Sequence, residues 1–509
     1  MLTTAPVQRQ AARVGKPGRH AIVIGSGLGG LAAAIRLGAR GYRVTVVERL
    51  DGPGGRAYVF QQDGFTFDAG PTIITAPFLL EELWSLAGRT LSQDIDLRPL
   101  DPFYRIRFHD GETLDCYADE EEMRAEVARL SPGDVDGFEA FMEKSAEIYR
   151  VGFEELGAVP FANFSDMVKV LPDFVRLASY KSVYAFASRY VRDPRLRFAL
   201  SFHPLFVGGN PFKVTSIYGL IACLERRHGV HFAMGGTGRI VEGMVGLIKR
   251  QGNEIRYNAE VAEVLVENGA ATGVRLASGE RIKSDIVVSN ADTAWTYRNL
   301  VPSHARKRWS DKKIDRASYS MGLFVWYFGT ARRYPDVKHH TILLGPRYKE
   351  LLGDIFDRHT LADDFSLYLH RPTATDPSLA PEGCDAFYVL SPVPHLDAGI
   401  DWSAQTNAYR EAIAKVLDAV ALPGFQEHIV TSRIMTPQDF HDRLLSHKGA
   451  AFSFEPLFTQ SAWFRPHNKS EDVEGLYLVG AGTHPGAGVP GVLCSAKILD
   501  QVVPHAALL

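Results

Sequence analysis

An α/β fold built on a dinucleotide-binding domain is predicted by three observations. A glycine-rich loop lies near the amino end (Ile22 to Leu37, IVIGSGLGGLAAAIRL), and a second lies near the carboxyl end (Leu476 to Gly491, LYLVGAGTHPGAGVPG). Each is flanked by an apolar strand pattern before it and a helical pattern after it. A strand that ends in Gly-x-Gly-x-x-Gly and runs straight into a helix offers free backbone N–H groups and a positive helix end to a pyrophosphate.

The context carries this reading, because the glycine content alone predicts roughly 0.4 chance matches to the motif in a chain of this length. Ala21 to Ile24 forms the strand before Gly25, Gly27, Gly29 and Gly30, and Leu31, Ala34, Ile35 and Leu37 then recur at helical spacing. Ala32 to Ala34 are small enough to let that helix lie close to a sheet. Gly41 ends the helix, Arg43 to Val47 reads as a buried parallel strand, and Glu48 stands at its carboxyl end. A carboxylate there accepts both ribose hydroxyls and repels a 2′-phosphate.

With 509 residues, 46% hydrophobic and 23% charged, the chain has a globular composition and room for two or three domains. A net charge of -3 gives no electrostatic case for nucleic acid. Cys116, Cys223, Cys384 and Cys494 are scattered without C-x-x-C spacing and read as reduced thiols in a cytoplasmic setting. None of the 17 histidines forms an H-x-x-x-H pair or sits beside an acid cluster, so no metal site is expected. Met1 to Gly18 lacks an apolar core and reads as a flexible tail, and no apolar stretch approaches the roughly twenty residues that span a bilayer.

After Glu48, Gly54-Gly55-Arg56 lets the backbone pass close to a ligand and supplies a fixed positive charge. GFTFDAGPT (Gly64 to Thr72) predicts a strand at Phe65 and Phe67 and a turn at Asp68 and Gly70. Asp101 to Asp115 reads as a hairpin turning at Asp110-Gly111, and Glu120 to about Leu224 is mostly helical. HFAMGGTGRI gives a glycine-dense turn into a helix, Glu254 to Val266 carries strand signals, and Ile286 to Ser289 is a buried strand returning to the first domain. Residues 300 to 450 mix strands (Leu323 to Phe328, Phe365 to His370, Phe387 to Leu390) with helices in a separate substrate layer. A strand at Leu476 to Val479 and a helix from about Val492 repeat the logic of the amino end.

With these residues in place, the chain resembles the bacterial-type phytoene desaturases of the flavin amine oxidase-like superfamily, from residue 20 to the carboxyl end. GLYLVGAGTHPGAGVPGVLCS (Gly475 to Ser495) carries the resemblance most specifically. SFHPLFVGGNPF, FSLYLHRPTATDPSLAPEG, YVLSPVPHL and QSAWFRPHN extend it.

The resemblance implies a Rossmann-type FAD-binding domain, a mixed α+β substrate domain and a helical membrane-facing region. It divides the chain into a tail (1–19), FAD-binding parts (20–100, 225–300, 456–509), a helical region (101–224) and a substrate domain (301–455). By carry-over, Gly25, Gly27, Gly29 and Gly30 hold the pyrophosphate and Glu48 the ribose of FAD, while Gly55, Arg56, Asp68, Gly70, Pro71 and Thr72 line the flavin. Val261 reads the adenine, and Gly482, Thr483, His484, Gly488 and Val489 approach the isoalloxazine and ribityl chain. Many superfamily members place an acid in that last loop, where this chain has Gly480-Ala481-Gly482.

The expected substrate is phytoene, taken from a membrane surface and desaturated to neurosporene or lycopene, with oxygen or a quinone as final acceptor. Removing a hydride and a proton from neighbouring carbons needs an apolar tunnel more than a polar dyad. Asp166 is the candidate base; the competing reading is a solvated surface pair with Lys169, because both fall off the apolar stripe of Phe161, Phe164, Val168, Leu171 and Val175. That stripe, flanked by Lys169, Arg176, Lys181, Arg189 and Arg192, fits a membrane interface or a core helix. Other readings are an enzyme acting on a later carotenoid, an isoprenoid-binding escort protein and an NAD-dependent dehydrogenase.

Overall fold

The structure, a computed structural model, describes residues 18–508; the tail expected before them lies outside the described residues. Its organising element is a five-stranded parallel sheet in the order Leu476–Leu478, Ile286–Ser289, His20–Ile24, Arg43–Val47, Glu254–Arg256. Strands from the beginning, middle and end of the chain thus lie side by side. Ala21 to Val23 are fully buried at its centre, the near-continuous apolar run expected of a strand covered on both faces. Helix Leu28–Ala39 packs between Thr237–Arg250 and Val489–Val502, and its Ala32, Ala33 and Ala34 are fully buried.

A three-stranded antiparallel sheet (Val261–Glu267, Ala270–Leu276, Arg281–Lys283) leads back into the strand Ile286–Ser289. The strand signals from Glu254 to Val266 form two strands in two sheets, Glu254–Arg256 and Val261–Glu267, parted where Ala259 donates its N–H to the Glu48 carbonyl at 2.8 Å. The terminal helix begins at Val489, three residues before the expected Val492. Pro490 lies in its first turn, where a missing N–H costs nothing.

The second layer is a seven-stranded sheet ordered Ile429–Met435, Gly322–Thr330, Asp385–Val393, Leu367–His370, His340–Leu343, Tyr104–Arg107, Thr113–Cys116. It is antiparallel except where His340–Leu343 runs parallel to Tyr104–Arg107. Helices Glu120–Leu130, Val135–Tyr149, Phe164–Arg176 and Leu220–His228 lie in the expected helical region. Among the described residues no helix is long and apolar enough to cross a membrane.

Helix Phe164–Arg176 buries none of its residues fully, and Phe164, Val168, Leu171 and Val175 are 52–60% exposed. Phe161, expected on the same stripe, is buried before the helix begins, with its ring edge on His484 at 5.0 Å.

Candidate active site

One cavity of about 620 Å³ runs between the two layers. One end is walled by Gly25, Gly27 and Gly29, by Val47 to Leu50, and by Ala259 to Val261. Its middle meets Gly54 to Ala57, Ala69 to Thr72, Asn290 to Asp292, Gly480, Ala481, His484, Pro485 and Ala487 to Val492. The other end is apolar, with Phe202, Leu205, Phe206, Leu323, Val325, Ile342 and Leu390 on its walls and Met167, Val170 and Phe174 of the exposed helix above.

The first loop has the geometry its sequence predicts. Gly25 adopts φ +88°, and Gly27 is the amino cap of helix Leu28–Ala39, with no side chain bonded to the first-turn N–H groups and no acid in that turn. A helix end left uncapped in this way is an anion site. Gly54 folds back onto the loop, its N–H donating to the Ser26 carbonyl at 3.0 Å. Glu48 is buried at the end of its strand, with Ser26 N–H and O–H donating to Oε2 and Leu50 N–H to Oε1. These donors fix the carboxylate while leaving acceptor capacity toward the cavity. At the far side, helix Val489–Val502 also begins without a side-chain cap, so two positive helix ends meet one cavity.

Asn290 is a residue the sequence reasoning passed over. A Cβ at Gly27, Gly29 or Gly480 would stand 2.6–2.8 Å from its amide, so both glycine loops close on this one side chain. Its place at the carboxyl end of the strand Ile286–Ser289 was the available signal, since ligands bind beyond those strand ends. Arg465 is the second omission. Fully buried, it donates to the carbonyls of Phe454, Gln460, Ala481 and Thr483 at 2.7–3.2 Å and so holds the carboxyl-terminal loop in shape. Asn468 adds a donor to the His484 carbonyl at 2.9 Å.

Of the residues singled out in the sequence, Gly25, Gly27, Gly29, Glu48, Gly55, Arg56, Gly70, Pro71, Thr72, Val261, His484, Gly488 and Val489 line this cavity. Arg56 donates to Ser446 Oγ at 3.0 Å. Neither ring nitrogen of His484 closes a hydrogen bond, and burial lowers its pKa to about 3, so the ring is neutral.

Five expectations are corrected by the geometry. Gly30 does not reach the cavity: a Cβ there would collide with the Gly25 carbonyl, so it serves close packing of loop and helix. Asp68 is turned away, accepting Thr237 N–H at 3.0 Å at the start of helix Thr237–Arg250, with its pKa raised by burial to about 6. Gly482 faces Thr293 and Ser453 instead, and Thr483 is fully buried, its hydroxyl donating to the Pro466 carbonyl at 2.6 Å. Asp166 completes the capping box of helix Phe164–Arg176 behind its cap Asn163, away from the cavity where a base is needed. It accepts Asn163 N–H at 3.2 Å and Lys169 at 3.1 Å, does not line the cavity, and has its pKa lowered chiefly by Lys169.

The sequence of the chain from Leu28 to Ile498 matches the model of the flavin containing amine oxidoreductases. The chain belongs to this family. Among curated relatives it is 54% identical to a neurosporene-forming phytoene desaturase of Rhodobacter capsulatus, over 96% of this chain and 94% of that one. It is 50% identical to a lycopene-forming phytoene desaturase of Pseudescherichia vulneris, over 94% and 98%. An oxidoreductase of Methanosarcina mazei, 19% identical, shares the fold with a TM-score of 0.61 over 95% of this chain and all of that one.

The cavity fits the flavin of this family. Glycine loops, an oriented carboxylate and two uncapped helix ends border this one cavity, the elements that a dinucleotide's pyrophosphate and ribose call for.

Proposed function

We propose that this flavin containing amine oxidoreductase is an FAD-dependent phytoene desaturase that introduces several conjugated double bonds into 15-cis-phytoene, forming neurosporene or lycopene. The observation that carries this reading is the continuity of the cavity, which passes without a break from a glycine-lined nucleotide end into an apolar channel. The relatives that are 54% and 50% identical bear names for this reaction.

In this reading Gly25, Gly27 and Gly29 approach the pyrophosphate with backbone N–H groups, Glu48 accepts from the ribose, and Val261 borders the adenine. Gly55, Arg56, Gly70, Pro71, Thr72, His484, Gly488 and Val489 surround the ring. Bound FAD supplies a hydride acceptor that oxygen or a quinone then reoxidises. Leu323, Val325, Ile342 and Leu390 exclude water and align one C–H bond of the polyene with the ring face. The double bond beside the broken C–H delocalises the positive charge, so the walls need no counter-charge. We assign residues 20–100, 225–300 and 456–509 to FAD binding, and 101–224 and 301–455 to the substrate.

Helix Phe164–Arg176 faces the channel with Met167, Val170 and Phe174 and the exterior with Phe164, Val168, Leu171 and Val175. A helix apolar on both sides, with Lys169 extended beside it, suits the surface of a bilayer. Phytoene would then enter from the membrane without crossing water.

Purified protein given FAD and liposomes carrying phytoene is expected to form coloured polyenes whose absorption maxima report the conjugated length. Unchanged phytoene, with conversion of a later carotenoid instead, would overturn the assignment.

A further inference from the structure

The segment from Phe458 to Phe464 borders two cavities. Phe458, Ser461 and Ala462 line the channel, while Thr459, Gln460 and Phe464 line a second cavity of about 390 Å³. Trp309, Phe454 and Phe464 give the second cavity aromatic walls, and Lys312, Lys313 and Arg316 bring three cations to it. No carboxylate lines it among the described residues.

The three cations stand on one short helix, Asp311–Arg316. Lys313 Nζ lies 3.6 Å from the centre of the Trp309 ring, a cation–π contact that fixes the ammonium against the aromatic wall. The carboxylates nearby are engaged elsewhere. Asp311 pairs with Arg306 at 2.6 Å, Asp315 with Arg298, and Glu471 with Arg308 at 2.7 Å. Asp472 accepts the N–H groups of Lys307, Arg308 and Trp309 at 2.7–3.0 Å. Lys312 and Arg316 are exposed and have no ion pair among the described residues, so their charge is left for a ligand.

Aromatic rings join this cavity to the exposed helix Phe164–Arg176. Phe464 meets Trp463 at 5.3 Å, and Trp463 meets Phe164 at 5.1 Å. Phe464 also meets Phe458 at 5.9 Å, and Phe458 meets Phe174 at 4.6 Å. A cluster of unpaired cations thus adjoins an exposed apolar helix face, the pairing that suits a molecule with a phosphate at one end and hydrocarbon at the other.

We propose that Lys312, Lys313 and Arg316 bind the headgroup phosphate of an anionic phospholipid whose acyl chains lie along the exposed face of helix Phe164–Arg176. The inference rests on the reading of that helix as the membrane contact. Arg316 offers paired N–H donors to phosphate oxygens, and the two lysines add compact positive charge. A soluble anion gains only the charge; a phospholipid gains the apolar contact as well. Seated in this way, the protein turns the apolar end of its channel, beneath Met167, Val170 and Phe174, toward the hydrocarbon in which a polyene dissolves.

The test measures co-sedimentation of the FAD-loaded protein with vesicles of phosphatidylcholine alone and of phosphatidylcholine mixed with phosphatidylglycerol. Wild-type protein is expected to bind both, and the mixed vesicles more tightly. Each basic residue at an anionic surface is worth about fivefold in affinity, so Lys312→Gln with Arg316→Gln should weaken mixed-vesicle binding roughly 30-fold and leave phosphatidylcholine binding unchanged. Arg281→Gln with Lys283→Gln removes the same charge from an exposed strand that lines neither cavity, and is expected to leave both affinities as they were.

Equal losses in the two pairs would mean general charge attraction and would overturn the site, as would full mixed-vesicle affinity in the Lys312 and Arg316 pair. Saturable binding of inorganic phosphate as tight as that of the mixed vesicles would overturn the phospholipid as its ligand. Wild-type protein that sediments with neither vesicle would remove the membrane reading itself, whereas binding to phosphatidylcholine with no preference for phosphatidylglycerol overturns the phosphate site alone.

Discussion

Ser26 and Glu48 meet at the mouth of the first glycine loop, where the serine N–H and O–H both donate to one carboxylate oxygen at 2.7 and 2.6 Å. The pair ties the loop between strand and helix to the end of the neighbouring strand, so the carboxylate proposed for the ribose is held by the loop proposed for the pyrophosphate.

Glu48→Gln is therefore expected to weaken FAD binding by about 10- to 100-fold, the loss of a charge-assisted hydrogen bond worth ~1.5–3 kcal/mol. Quenching of flavin fluorescence on titration of apoprotein measures it. An unchanged Kd would remove Glu48 from the site.

Arg465→Leu leaves the carbonyls of Phe454, Gln460, Ala481 and Thr483 without their buried donor. Leaving such groups unpaired costs about 1–3 kcal/mol each, so stability falls by at least ~4 kcal/mol. Urea unfolding of the holoprotein checks this, and Arg465→Lys should recover part of the loss through fewer bonds.

On the helix Phe164–Arg176, Leu171→Glu and Val175→Glu should abolish flotation with anionic liposomes and change stability by less than about 0.5 kcal/mol, because both side chains are more than half exposed. Flotation equal to wild type would place the membrane contact elsewhere.

Glu455 is buried, and desolvation raises its pKa to about 7. The folded protein keeps this proton up to that pH while the unfolded chain releases it near the ordinary carboxylate value, so stability falls as the pH climbs across that window. Glu455→Gln should thus stabilise the protein at pH 8 by about 3 kcal/mol and give no such gain at pH 4. Denaturant midpoints at the two pH values measure the difference.

Much of this architecture is legible locally. The strand before Gly25, the helix after it and Glu48 follow from short periodic patterns, and the structure places them together as read. What stays hidden depends on contacts between distant segments. Asp68 turns away from the cavity because the start of a helix 169 residues later binds its carboxylate. Gly482 and Thr483 look like ligand contacts by sequence, but Arg465 draws the Thr483 carbonyl toward itself. The histidines at 339, 340 and 370 carry no motif spacing and converge only through strand register. For the helix Phe164–Arg176, periodicity identifies an apolar face without saying whether that face meets core or solvent.

The most direct measurement mixes the FAD-loaded protein with phytoene liposomes under anaerobic conditions and records the whole visible spectrum. The account predicts that the oxidised-flavin band bleaches as polyene bands rise, one double bond for each flavin reduced. Polyene formation with the flavin still oxidised, or a flavin that phytoene never reduces, would contradict it.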